Sequence, residues 1–296
     1  MRGKGLDEDG FIAREGDLAR VPQVFAPVVE AARTSVLRAF GPDRLHSAYL
    51  YGSIPRGTAV PGVSDLDVLL ALHDEPAGAD RDAAGRVESA LDARFPQING
   101  AGIGLASTAT LLSDIERYDL GWFVACLCTL LAGDDLARRL PRYRPTSLLA
   151  RETNGDIGDV LPRWREQLRE ARTQAALQVL SRHVTRRTVR TGFTLVMPRW
   201  GGWTSDLLES AAIFGRYYPA RRDQMRAAAE AAQAPTADRP VLGMLINDLG
   251  PWLAAEYASV HGRKTPRAGT GLRKHPRWRP ARPADRVTSV AAVRCS

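Results

Sequence analysis

The stretch Tyr51-Gly-Ser-Ile-Pro-Arg-Gly-Thr-Ala-Val-Pro-Gly-Val-Ser-Asp-Leu-Asp-Val68 decides how this chain is read. A Gly-Ser pair, Gly52 and Ser53, follows the aromatic-rich run His46–Tyr51, which has the make-up of a short strand. Twelve residues after Ser53, Asp65 and Asp67 open the apolar run Leu66–Leu72, suited to a strand covered on both faces. Alternate residues of a strand point the same way, so the two carboxylates share a face about 6–7 Å apart along the chain. Two carboxylates so placed repel unless a cation sits between them, and hard oxygen ligands suit Mg²⁺. Gly52 lets the backbone approach a phosphate closely, Ser53 offers N–H and hydroxyl donors, and Arg56 neutralises phosphate oxygens. Such parts can hold a metal–triphosphate and present its α-phosphorus for in-line attack.

Outward from this stretch, Pro22–Phe40 carries apolar residues at helical spacing, closed by Gly41-Pro42-Asp43. Ala83–Arg94 reads as a helix and Gly102–Ser107 as a strand, so residues 22–107 run α-β-β-α-β. Thereafter Thr110–Leu131, Asp134–Leu140, Val160–His183, Arg186–Met197, Asp206–Phe214, Ala220–Ala234 and Pro240–Val260 all prefer helix. Arg142–Thr146, broken by Pro145, is a plausible linker. The expected organisation is a loosely held N-terminus over 1–21, an α/β unit over 22–145, a helical unit over 146–261 and a basic, Pro-rich disordered tail over 262–296.

Charge follows the same division. The chain has 296 residues and net charge +8, with 44% hydrophobic and 25% charged residues, an ordinary globular composition. Residues 262–296 hold ten Lys/Arg against Asp285 alone, whereas residues 1–261 are nearly balanced. A nucleic-acid role therefore falls to the tail only. No apolar run approaches the roughly 20 residues of a membrane span, and no secretory signal is visible, so a cytoplasmic location is expected. Cys126, Cys128 and Cys295 argue against a disulfide framework. Cys126 and Cys128 fall within an expected helix, about 200° apart, and read as buried small hydrophobes.

The Gly52-Ser53 turn, Arg56-Gly57, Ser64 and the Asp65-x-Asp67 pair resemble the signature of the nucleotidyltransferase superfamily, the fold of DNA polymerase β. The layout is similar to that of aminoglycoside adenylyltransferases and related bacterial proteins. The resemblance implies an α+β fold, a small mixed-sheet nucleotidyltransferase domain followed by an all-helical domain. It implies Mg²⁺ bound by Asp65 and Asp67, in a two-metal site, and ATP or another nucleoside triphosphate held by Gly52, Ser53, Arg56 and Ser64. AMP would move from ATP to a hydroxyl of a small-molecule acceptor, with an aminoglycoside-like acceptor as the family's suggestion. Ser64 is read equally as a brace of the turn.

One departure stands out. Active members of that family carry a third carboxylate on the strand assigned here to Gly102–Ser107, and that run has none. Asn99 is the nearest polar residue, and its amide can ligate a cation but accept no proton at neutral pH. Asp114, Glu116 and Asp119 read as solvated or capping acids, while Glu152, Asp156, Asp206 and Glu209 of the helical part are unranked options for a base. The alternative reading is a catalytically weak or inactive nucleotide-binding module of the same fold. Gly100-Ala-Gly-Ile-Gly104 enters a strand rather than a helix and is no dinucleotide fingerprint, and no P-loop is present. Arg186, Arg187 and Arg190, with Trp200 and Trp203, could hold an acceptor or a base, with core packing of the two tryptophans the stronger reading.

Overall fold

The computed structural model describes residues 4–267. The rest of the tail, with Cys295, lies outside the described residues. The α+β part consists of α1 (Ala26–Arg44), β1 (Leu45–Tyr51), the single turn α2 (Ser53–Arg56), β2 (Leu66–Leu72), α3 (Gly78–Arg94), β3 (Ala101–Ser107), α4 (Thr108–Leu112) and β4 (Cys128–Gly133). The helical part consists of α5 (Ser147–Asn154), α6 (Ile157–Glu170), α7 (Gln174–Trp200), α8 (Leu207–Tyr217), α9 (Arg222–Gln233), α10 (Arg239–Met244) and α11 (Gly250–His261).

The four strands form one mixed sheet in the order β3-β2-β1-β4. β1 runs antiparallel to both neighbours, and β2 pairs in parallel with β3 through the α3 crossover. Period-2 alternation assigns the two faces. Ala48, Leu50, Leu66, Val68, Leu70 and Leu72 pack with Val28, Val36, Val87 and Leu91 beneath α1 and α3. Tyr49, Tyr51, Leu69 and Ala71 form the opposite face with Leu111, Leu120 and Val124. Asp67 has the parity of Leu69 and stands opposite Tyr51 in the register, so it belongs to this second face.

Near its C-terminal end α1 is broken at Gly41, whose φ is +65°, before Pro42. α3 is secured at its start by Asp80, which accepts from the Ala77 backbone N–H at 2.7 Å and from Arg44 at 2.6 and 3.0 Å. Burial opposes the Asp80 charge, but the Arg44 hydrogen bond, the largest influence, holds its carboxyl below the ordinary value.

Three expectations need correction. The helix expected over Thr110–Leu131 is a series of short turns, two of them π-helical at Arg117–Gly121 and Phe123–Leu127, ending in β4. Cys128 is therefore a strand residue, buried like Cys126 but on a different element. The free edge of β1 takes up the apolar Cys128–Gly133 run as a partner, a long-range pairing that no local periodicity announces. Secondly, the break expected between His183 and Arg186 falls earlier, between Glu170 and Gln174. α6 ends at Glu170, Thr173 caps α7 by accepting from Ala176 N–H, and α7 runs unbroken for 27 residues.

Thirdly, the N-terminal stretch is a strap rather than a loose end. Ile12 is buried in the helical core, Trp203 N–H donates to Lys4 carbonyl at 2.7 Å, and Asp17 N–H donates to Pro55 carbonyl at 2.9 Å. The strap thus touches both the turn after β1 and the segment after α7. Trp203 is buried and packs edge-on against Trp122, in line with core packing. No helix of the described residues is long and apolar enough to cross a membrane.

Candidate active site

β2 begins where the chain returns from the loop after α2, and the loop is braced internally. Ser64 Oγ accepts from Val60 N–H at 2.9 Å, and Ser64 carbonyl accepts from Asn99 N–H at 2.9 Å. Ser64 therefore ties the loop to the approach to β3. Gly52 has φ +87°, a conformation that favours glycine, and a Cβ there would stand 2.9 Å from Asp67 Oδ2. On the other side, Gly102 is opposite Asp67 in the parallel register, with a Cβ there 3.8 Å from Asp67 Oδ1. Asp67 thus lies between two glycines, which leave its carboxylate room that side chains would take.

Asp65 lies just before β2 and is only partly exposed. It is ion-paired with Arg182 of α7, and Asn99 donates to its Oδ1 at 3.5 Å. Burial pushes the Asp65 carboxyl above its ordinary value, opposed by Arg182 and reinforced by the charge of Asp67, with Arg186 and the Asn99 amide pulling it back. Arg182, Arg186 and Arg190 recur every fourth residue and so share one face of α7. Desolvation, the largest influence, and the charges of its two neighbours pull Arg186 down to about 10, against support from Asp65 and Asp67. Arg190 is solvent-exposed, yet desolvation lowers it too, with Arg56 adding to the fall and Asp67 and Glu15 opposing it. Arg190 keeps contact with water where α7 meets Arg56, Asp67 and Glu15, and this meeting of α7 with the sheet part is the candidate cleft.

Arg56, from α2, pairs with Glu15 of the strap at 3.4 Å. Glu15 is also held by Trp203 Nε1 at 2.8 Å and Ser205 Oγ at 2.5 Å. The cleft therefore brings Gly52, Arg56, Asp65 and Asp67 together with three α7 arginines. Four guanidiniums outnumber the carboxylates Asp65, Asp67 and Glu15, and such an excess favours a polyanion.

Several acids considered for a base are engaged elsewhere. Asp206 caps α8 through Glu209 N–H at 2.9 Å, and Glu209 accepts from Thr204 Oγ1 at 2.6 Å. Asp114 pairs with Arg117 at the surface. Glu116, Asp119, Glu152 and Asp156 gather around the segment after α11. Glu15 and Arg182 were absent from the sequence reading. The four-residue recurrence of the arginines was its one available signal for Arg182, and nothing local points to Glu15.

Among the described residues, no group of three or more His, Cys, Asp or Glu side chains is placed to hold a metal ion. Two carboxylates do match the habit of Mg²⁺, which takes one or two protein carboxylates and completes its octahedron with phosphate oxygens and water.

The architecture is α+β, with a mixed-sheet unit followed by a helical one. No family model matches the sequence, and no curated protein matches it. Among solved structures, the chain is similar to spectinomycin adenyltransferase AAD(9) from Enterococcus faecialis, crystallised with ATP and spectinomycin. The identity is 10% and the TM-score 0.47, over 78% of this chain and 98% of that one. A likeness at this level concerns the course of the chain alone and assigns no residue a role.

Proposed function

We propose that the chain is a nucleotidyltransferase that moves a nucleoside monophosphate, AMP from ATP, onto a hydroxyl of a small-molecule acceptor. One observation carries the reading: the cleft sets Asp67, bounded by the Gly52 turn and Gly102, against the arginines of α7. In this reading Gly52 and Ser53 hold the triphosphate against the turn, while Arg56, Arg186 and Arg190 neutralise its oxygens. Asp65 and Asp67 would hold Mg²⁺, which when bound offsets phosphate charge and helps orient the α-phosphoryl group. Arg182 holds Asp65 in place. Ser64 acts by keeping the loop against Asn99.

The acceptor oxygen forms a bond to the α-phosphorus as the bond to the bridging oxygen of the β-phosphate breaks. Pyrophosphate leaves and the hydroxyl proton passes to water. Little covalent work falls to side chains in such a transfer, so positioning and electrostatic neutralisation account for most of the rate. The test is pyrophosphate release from ATP and Mg²⁺ over a panel of hydroxyl acceptors. Asp67→Asn should lose at least about a thousandfold in rate with its thermal transition retained, the scale of a lost transition-state electrostatic contact. Unchanged turnover in that variant refutes the assignment.

A second reading, a nucleotide-binding module with weak or no transfer, is favoured by Gly102. This residue faces Asp67 from β3, the strand on which the resemblance implies a third carboxylate. Calorimetric binding of ATP with no pyrophosphate release on any acceptor would select it.

A further inference from the structure

α11 ends at His261 and is capped by Gly262, whose φ of +85° turns the chain back across α5. The next residues lie in a groove lined by carboxylates. Lys264 Nζ pairs with Asp119 at 2.5 Å and stands 3.6 Å from Asp156. Arg267 Nε lies 3.0 Å from Glu116 Oε1, and its Nη2 lies 3.2 Å from Glu152 Oε2. Thr265 donates its hydroxyl to Glu152 Oε1 at 2.9 Å. The backbone fits closely as well: Lys264 N–H donates to Gly155 carbonyl at 3.3 Å, and a Cβ on Gly155 would stand 2.8 Å from that nitrogen.

Beneath this segment, Glu116 and Glu152 are almost fully buried, 2% and 5% exposed. Glu116 Oε2 is buried with no hydrogen-bond partner. Burial works against the Glu152 charge, but hydrogen bonds from Arg151 and Thr265 outweigh it and hold the carboxyl below its ordinary range, with Arg267 adding to them. Apart from Lys264 and Arg267, the four carboxylates have two guanidiniums in contact, Arg151 on Glu152 and Arg187 on Asp156. A groove left with that surplus of negative charge, one oxygen of it already without a donor, is a receptor for a polycation.

It is also electrostatically connected to the cleft. Arg187 follows Arg186 on α7 and interacts with Asp119 and Asp156 on one side and with Arg190 on the other. Glu116 and Arg267 further line a surface cavity with Ser113 and Ile115, so the Arg267 end of the groove borders solvent.

We propose that this groove binds a small polyamine-type cation, and that residues 262–267 are its built-in competitor, with Lys264 and Arg267 occupying the ammonium positions. The proposal does not rest on the transferase reading. An incoming polycation then displaces residues 262–267 from the groove.

The experiment uses the full chain and spermine as the probe. In calorimetry, the Lys264→Gln/Arg267→Gln double variant should bind spermine at least tenfold more tightly than the wild type, with affinity falling as salt rises. Adding Asp119→Asn and Glu152→Gln should abolish that gain. Equal affinity in wild type and double variant, or no binding by a double variant that retains its thermal transition, overturns the proposal.

Should the double variant not fold, hydrogen exchange on the wild type decides. Saturating spermine should deprotect the Gly262 and Lys264 amides, which now bond to the Ala258 and Gly155 carbonyls. Unchanged protection marks residues 262–267 as a permanent latch and also overturns the proposal. Neither readout requires catalysis. Absent pyrophosphate release with spermine binding intact counts against the transferase reading alone, and the reverse result counts against the groove alone.

Discussion

α7 separates two charged environments of opposite character. Towards the sheet, Arg182, Arg186 and Arg190, with Arg56, exceed the carboxylates they meet. Towards α5 and the C-terminal segment, Glu116, Asp119, Glu152 and Asp156 require two cations from residues 262–267 to be neutralised. Arg186 and Arg187 are neighbours in sequence, yet a turn of about 100° on the helix sends one to each side. One helix can thus present a surface for a polyanion and bound a surface for a polycation, and ionic character belongs to faces rather than to elements.

The largest effect that could break this contrast comes from Asp67→Asn, which should remove transfer while leaving spermine binding intact. If both were lost, the two sides would be one site. Next, Arg186→Ala with Arg190→Ala should weaken ATP binding by about 10–100-fold, the scale of one or two charge-assisted contacts. The expected signature in calorimetry is a shallower salt dependence, with spermine affinity unchanged. Unaltered ATP affinity would remove the arginines from the triphosphate site.

A smaller effect tests the turn. Gly52→Ala places a side chain at φ +87° against Asp67, and should cost about 1–3 kcal/mol in chemical denaturation. Its ATP affinity should fall too, since the carboxylate must move. Retained stability would mean that the turn relaxes freely.

Asp80→Ala provides a control within the sheet part, away from α7, with an expected loss of about 1–2 kcal/mol from the missing cap and Arg44 contact. The sign with pH follows from the depressed carboxyl. Because the folded Asp80 carboxyl lies below its ordinary value, its contribution is present above that ordinary value and disappears as pH falls through the folded one. The gap between wild type and variant should therefore close on acidification below about pH 4, as measured by thermal unfolding. A gap that persists there would assign it to packing.

Much of the sheet was legible because its information is local. Apart from Asp67, Leu66–Leu72 is apolar throughout, as a strand covered on both faces requires, and it is β2 to the residue. The Gly-Ser turn and paired acids could be read for the same reason, since positive φ and period 2 are properties of a few consecutive residues. β4 could not be read so. Its run of apolar residues suits helix and strand alike, and the unpaired edge of β1 decides between them. The strap was misread because its polar make-up conceals single anchors, Ile12 in the core and Glu15 beneath Trp203.

By itself, the sequence determined where β1 and β2 lie, that two acids two residues apart stand at the start of β2, and that three arginines recur every fourth residue. Only the tertiary structure decided what those arginines face, that Gly102 stands opposite Asp67, and that Lys264 and Arg267 settle among four acids from distant elements. Backbone periodicity is set by neighbours within a few residues. Charge pairing across a cleft is set by which elements desolvate one another, and that is a property of the packed chain.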